Sequence, residues 1–143
     1  MRIKNILHNK KIMAMIIYQN NFTKKKYFFP TPAYFPLQLG FMNHKKNFLI
    51  KPHHHTNIQK KINSFSEVII IKKGIIRVDF YNKKKYLFSE ILKKNNILIL
   101  VSCGHGFKVL KDCSILEIKQ GPYDLNKNKI FLKKIKESSI FIK

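Results

Sequence analysis

The chain of 143 residues has little of what several protein classes depend on. Its two cysteines, Cys103 and Cys113, stand ten residues apart and match no CxxC pattern, which argues against a disulfide framework. We therefore expect free thiols in a reducing compartment. The longest apolar run near the N-terminus, residues 12–18, is too short for a secretory signal or a membrane span. These absences predict a cytosolic protein without a membrane-spanning segment.

Acidic residues and arginines are also scarce, so the formal net charge of +22 comes almost wholly from lysine. Arginine occurs only at Arg2 and Arg77, although proteins that read phosphates and base edges favour its bidentate guanidinium group. The lysines are scattered in short groups at apparent turns and form no single stripe. We interpret the charge as compositional and expect no nucleic-acid partner. The nucleic-acid alternative predicts binding with steep salt dependence, so absence of binding at moderate salt would remove it.

Glycine and proline are scarce as well, and the turns fall at clusters of lysine and asparagine. Three prolines within residues 27–37 exclude a helix there and favour an extended segment. The predicted strands are residues 12–18, 39–42, 48–55, 67–71, 75–81, 86–92, 97–101, 107–110 and 114–120, with a turn at 72–74. With 45% hydrophobic residues, this pattern predicts one all-β domain, an antiparallel sandwich or barrel. The tail at 129–143 is compatible with either a helix or a strand.

Four residues of metal-ligand type stand out in this strand pattern. In a strand, His53 and His55 project to one side and His54 to the other. Glu67 opens an apolar strand, where a buried carboxylate is costly unless a cation or hydrogen bonds compensate it. With His105, which comes from a distant strand, these residues predict a site for one divalent ion, Zn, Mn, Ni or Fe(II). The histidine run is also compatible with an exposed loop, and His105 with a turn.

These residues carry a resemblance to small single-domain cupins, which fold as a double-stranded β-helix or jelly-roll barrel. The cupin His-x-His pair matches His53 and His55, and its glutamate, separated from a glycine by six residues, matches Glu67 and Gly74. The histidine of the second motif matches His105. The chain departs from the family in the eleven residues between the histidine pair and Glu67, and in lacking the usual glycine and proline of the second motif.

Residues 28–131 resemble more closely a group of small cupins from bacterial surface-polysaccharide and sugar-modification gene clusters. The matching segments are Gln38-Leu39-Gly40-Phe41-Met42, Pro52-His53, Glu67-Val68, Gly104-His105-Gly106-Phe107 and Glu117-Ile118-Lys119-Gln120-Gly121-Pro122-Tyr123. The resemblance implies a core at about 28–123, an N-terminal strand or arm at 1–20 and a C-terminal tail at 129–143. It also implies an isomerase or epimerase that acts on a sugar or sugar nucleotide, and a homodimer. Tyr123 is expected either to pack over the barrel mouth at the catalytic site or simply to end a strand.

Two alternatives to a metal enzyme stay open. Some sugar-nucleotide ketoisomerases of similar fold use a His-x-His pair without a metal, and His53 and His55 would then transfer a proton between adjacent sugar carbons. The other alternative is a non-catalytic sensor or binding protein, because a fold does not fix a function.

Arg77 has a separate interpretation as a partner for a diphosphate group. Alternation along a strand places Arg77 and Asp79 on one face and the apolar pair Val78 and Phe80 on the other. Because the apolar pair predicts the core face, this pattern argues against Arg77 as a ligand.

Overall fold

The computed structural model describes residues 1–18, 23–59, 62, 65–121 and 129–143. This part of the chain is all-β, as predicted, and its main sheet is a strongly curled antiparallel half-barrel. The strands are β1 (Arg2–His8), β2 (Lys11–Tyr18), β3 (Tyr27–Phe28), β4 (Phe41–Met42), β5 (Glu67–Asn82), β6 (Lys85–Lys93), β7 (Ile97–Leu100) and β8 (Gly104–Lys119). The main sheet has the order β1-β2-β7-β5-β6, with β8 paired to β5, and β3 and β4 form a separate pair. The finer prediction of a cupin double-stranded β-helix stays a prediction.

The N-terminal hairpin consists of β1 and β2. β2 was predicted from the sequence, and β1 was not. Asn9 and Lys10 at the hairpin turn have positive φ angles of 47° and 62°, as a two-residue type I′ turn requires. β2 continues the sheet by pairing with β7. Both strands are buried on both faces, which explains their continuous apolar sequences.

β5 (Glu67–Asn82) corrects the prediction of a turn at residues 72–74, because a single strand runs through them. Gly74 has a φ of +85°, and the pairing register with β8 shifts three times between Ile71 and Ile76. These bulges reverse the alternation of side chains, so that the same core cluster receives Ile69 and Ile71 before the bend and Ile76, Val78 and Phe80 after it. The β5–β8 ribbon therefore bends at Gly74 while its core face stays continuous.

Two clusters of buried apolar side chains stabilise the sheet, one on each face of β2 and β7. The first fills the concave side of the half-barrel and includes the fully buried Phe80 and Leu98. The second lies between the sheet and the proline-rich segment, whose Phe35 is 5% exposed. The predicted extended segment at 27–37 thus covers the outer face of the sheet.

Two further strand predictions differ from the structure. β8 (Gly104–Lys119) is one strand where two were expected. The predicted strand at 48–55 is wrong, because residues 48–59 form no strand and are exposed. Pro52, within this segment, lacks the N–H that pairing in a ladder would need.

The C-terminal tail is held against the sheet without becoming a regular helix or strand. A 3-10 turn spans Glu137–Ser139, and Ile142 makes a parallel bridge to Ser89 of β6. The Ser89 N–H donates to the Phe141 carbonyl at 2.7 Å, and the Lys143 N–H donates to the Ser89 carbonyl at 3.0 Å. Among the described residues, no helix has the length and hydrophobicity needed to cross a bilayer.

Candidate binding cleft

A cleft of about 1080 Å³ runs along the β5–β8 ribbon and under the start of the C-terminal tail. Its walls come from both strands, from residues 100–103 and from residues 129–134. β8 pairs only with β5 in the described part of the chain, so its apolar side chains remain half exposed along this opening. The cleft is therefore large enough for a small organic molecule and open to solvent.

Glu67 and His105 both line this cleft and contact each other. Glu67 is the first residue of β5, whereas His105 lies opposite Phe80, near the far end of the same strand. The bend at Gly74 folds the ribbon so that Nε2 of His105 lies 3.3 Å from Oε2 of Glu67. The two side chains are 28% and 18% exposed, so both are partly shielded from water and still accessible from the cleft.

The imidazole of His105 lowers the pKa of Glu67, and the charges of Lys119 and Lys129 act in the same direction, while partial burial opposes them. The carboxylate is therefore ionised at neutral pH. Burial raises the pKa of the neighbouring Cys103 thiol to about 12, with a further contribution from the charge of Glu67. Cys103 is thus an unreactive thiol that packs against the core, and neither cysteine forms a disulfide, as predicted.

Several polar atoms around this pair have unused hydrogen-bonding capacity. The 3.3 Å contact lacks the alignment of a hydrogen bond, and neither Glu67 Oε2 nor His105 Nδ1 finds a hydrogen-bond partner within the described residues. The same holds for Ser66 Oγ and Gln120 Nε2, although the Gln120 carbonyl oxygen accepts the Ser66 N–H at 2.9 Å. Buried polar atoms are normally satisfied, so this group is suited to a polar ligand.

The structure does not bring the four predicted metal ligands together. The rings of His53 and His55 lie 5.3 Å apart, but both side chains are exposed and neither lines the cleft. His53 Nδ1 donates to the Lys51 carbonyl at 2.8 Å. In the ranges that the structure covers, no three histidine, cysteine or acidic side chains gather as a metal site would require.

The other predicted site residues have mixed outcomes. Tyr123 lies outside the described residues. His54 is exposed, as expected, although the strand that was to orient it is absent. Val78 and Phe80 do face the core, and Arg77 lies on the opposite face with Asp79, as alternation predicted.

A buried ionic network surrounds Arg77 on the cleft side covered by the tail, and it was not predicted from the sequence. Arg77 binds Asp79 in a bidentate manner, with Nε–Oδ1 and Nη2–Oδ2 distances of 2.7 and 3.0 Å. It also donates to Glu137 of the tail at 2.7 Å, and Ser89 donates to Asp79 at 2.6 Å. Two cations, Arg77 and Lys108, lower the pKa of Glu137 to about 2. The rarity of arginine was the one available signal, but its partner sixty residues away was not predictable.

Comparison with models of known protein families, with curated proteins and with solved structures gave no significant match for this chain.

Proposed function

We propose that the cleft binds a small polar molecule of the carbohydrate class, a sugar or sugar nucleotide, and that Glu67 and His105 act on it as an acid–base pair. The proposal rests on one observation: a partly buried carboxylate–imidazole pair with unused hydrogen-bonding capacity lines an open cleft. The cytosolic location, the homodimer and the cupin relationship expected from the sequence belong to the same proposal.

The reaction that suits this pair is the isomerisation or epimerisation of a keto or aldo sugar. Glu67, which is ionised at neutral pH, removes a proton from the carbon next to the carbonyl group. His105, as the general acid, donates a proton to the carbonyl oxygen, which gives an enediol. Glu67 then returns its proton to the former carbonyl carbon, and His105 takes back a proton from the hydroxyl group on the carbon that Glu67 deprotonated, which completes the isomerisation with no net change in charge.

Positive charge around the cleft supports an acidic ligand or intermediate. Lys119 and Lys129 both line the cleft and both stabilise the ionised form of Glu67. An enediol with partial negative charge, or a sugar phosphate, would interact favourably with the same groups. By contrast, the metal-free alternative that uses His53 and His55 as bases has no support from this geometry, because both rings lie outside the cleft.

The first experiment measures binding and proton exchange with three probes in which a carbonyl group is present or forms on ring opening: glucose, glucose 6-phosphate and a nucleoside-diphosphate 4-keto-6-deoxyglucose. We expect one of them to bind and to exchange a carbon-bound proton in D₂O, observed by NMR. The Glu67→Gln variant should reduce exchange on the order of a hundredfold or more, because the amide cannot accept the proton. The control, Asp112→Asn, removes an equal charge from β8 outside the cleft and should leave exchange unchanged.

The outcomes separate the alternatives. Binding without exchange, equally in the wild type and in Glu67→Gln, would support the non-catalytic sensor or binding protein. Failure of all three probes to bind, or equal exchange in Glu67→Gln and the wild type, would contradict the proposal.

A divalent metal at Glu67 and His105 is a second candidate, favoured by the adjacent oxygen and nitrogen donors. Two donors are fewer than a stable protein site normally provides, so the observed set does not fit a complete cage and no reaction step is derived through a metal. Elemental analysis of untagged protein tests this candidate. Near-stoichiometric metal that falls in His105→Ala, but not in the exposed control His54→Ala, would establish it. Metal content that is equal in both variants and the wild type would place any bound ion elsewhere.

A further inference from the structure

An exposed apolar cluster projects from the segment that follows β4. It consists of Met42, Phe48, Leu49 and Ile50, whose exposed fractions are 59%, 44%, 74% and 50%. Three consecutive apolar residues at this exposure are unusual for a water-facing loop, since apolar surface in contact with water is unfavourable. None of the four lines the cleft, so the cluster has no part in the proposed reaction.

The cluster is held in place by ring contacts and a tight turn. Tyr27 of β3 lies opposite Met42 of β4 and makes an edge contact with His44, whose ring stacks on Phe48 at 4.3 Å. The Phe48 N–H donates to the Lys45 carbonyl at 3.2 Å and closes the turn. Asn47 at this turn has a φ of +67°, which asparagine tolerates well. The apolar side chains are therefore presented by a defined local structure.

Lysines surround the cluster, and no acidic residue is near it in the sequence. Lys26, Lys45, Lys46 and Lys51 flank the four apolar residues, and none of the four forms an ion pair with an acidic side chain within the described residues. All seven acidic residues of the chain occur at or after Glu67. The flanking lysines therefore carry uncompensated positive charge next to the cluster, which favours an anionic occupant.

We infer that this cluster, with its four lysines, docks the protein on the surface of an anionic lipid bilayer. Exposed aliphatic side chains enter the boundary between headgroups and acyl chains, while the flanking ammonium groups remain at the level of the anionic headgroups. The association is peripheral, because only the tip of a loop enters the lipid.

Charge and shape argue against two other occupants of this surface, a second copy of the chain and a nucleic acid. A second copy of the chain would place these lysines against the lysines of its partner without any acid to compensate them. A nucleic acid binds lysines through its phosphates and, when single-stranded, stacks its bases on open aromatic faces, so it would not use exposed aliphatic side chains. Leu49 and Ile50 have no such face, and Phe48 is covered by His44 and by the Lys26 ammonium group, 4.1 Å from the ring centroid.

The experiment compares binding to phosphatidylcholine vesicles with binding to vesicles that also contain phosphatidylserine. The double variant Leu49→Ser/Ile50→Ser should bind the anionic vesicles on the order of tenfold more weakly than the wild type. The control, Leu116→Ser/Ile118→Ser, makes the same replacements at exposed positions of β8, 47% and 45% exposed. It should bind as the wild type does, which separates insertion of the cluster from general adsorption of a protein with a charge of +22.

A spectroscopic reporter supplies a second measurement. The chain contains no tryptophan, so the emission of a Leu49→Trp variant comes from this one site. We expect its emission to shift to the blue on addition of anionic vesicles, and to stay constant with phosphatidylcholine alone.

Several results would overturn the inference. These are an unshifted Leu49→Trp emission, equal loss of vesicle binding in the two serine double variants, and a dimer in solution that Leu49→Ser/Ile50→Ser converts to a monomer. A further result would assign this surface to nucleic-acid binding. That result is binding to a single-stranded oligonucleotide that Leu49→Ser/Ile50→Ser abolishes and the β8 control keeps.

Discussion

Replacement of Gly74 by alanine is expected to lower the free energy of unfolding by about 3 kcal/mol. At a φ of +85°, an L-residue is strained by roughly 1–2 kcal/mol. The added Cβ would also meet the backbone of β8, with the Lys111 carbonyl oxygen only 2.6 Å away. Backbone atoms cannot rotate away as a side chain can, so the β5–β8 bend must shift. Urea unfolding followed by circular dichroism measures the change.

Gly106→Ala is the matched control for this prediction. Gly106 lies on β8 beside His105, and a Cβ built there meets no heavy atom within 4 Å. We expect its unfolding free energy to stay within about 0.5 kcal/mol of the wild type. Because the bend at Gly74 brings Glu67 and His105 together, Gly74→Ala should also reduce proton exchange. Equal stability of the two variants would mean that the bend does not depend on glycine.

Arg77→Ala is expected to have a comparable effect, a loss of about 3–5 kcal/mol in the free energy of unfolding. The Arg77 and Asp79 side chains are only 6% and 9% exposed, so removing the guanidinium group leaves a buried carboxylate with Ser89 as its remaining donor. The pKa of Arg77 is raised, chiefly by its hydrogen bonds to Asp79 and Glu137, so the guanidinium group stays charged at any working pH. Thermal and urea unfolding give the magnitude.

Two further variants separate this ion pair from general effects of charge. Arg2→Ala removes the other arginine, which lies over the Tyr18 ring at 4.1 Å, and should cost about 1 kcal/mol or less. Arg77→Ala combined with Asp79→Ala should be less destabilising than the sum of the two single changes, because no unpaired carboxylate remains. Additive effects in this cycle would show that the two side chains do not depend on each other.

Much of the sheet follows from local sequence patterns. β2, β6 and β7 were predicted nearly to the residue, because apolar runs bounded by lysine and asparagine turns are local signals. β1 was missed because its alternation is weak, and it is a strand through its pairing with β2. The strand expected at 48–55 is absent although its residue types are compatible with a strand, because a strand also needs a partner and Pro52 lacks the N–H that pairing would use.

In the candidate site too, the residues were recognisable from local sequence, whereas their contact was not. Glu67 was recognisable as an unusual carboxylate at the start of an apolar strand, and His105 as an isolated histidine between glycines. Their contact depends on the bend at Gly74. Gly74 was predicted to lie in a turn between two strands. His53 and His55 were assigned to the same site by residue type, and the exposed segment that carries them leaves them outside the cleft.

The sequence by itself determined that this protein is all-β, that its turns are built from lysine and asparagine, and which apolar runs enter the core. These properties depend on alternation and propensity over a few residues. Only the tertiary structure decided which distant residues meet: Glu67 with His105, and Arg77 with the tail residue Glu137. Bulges reverse the face to which side chains point, and strand edges pair across long separations, so neither outcome can be calculated from a local window.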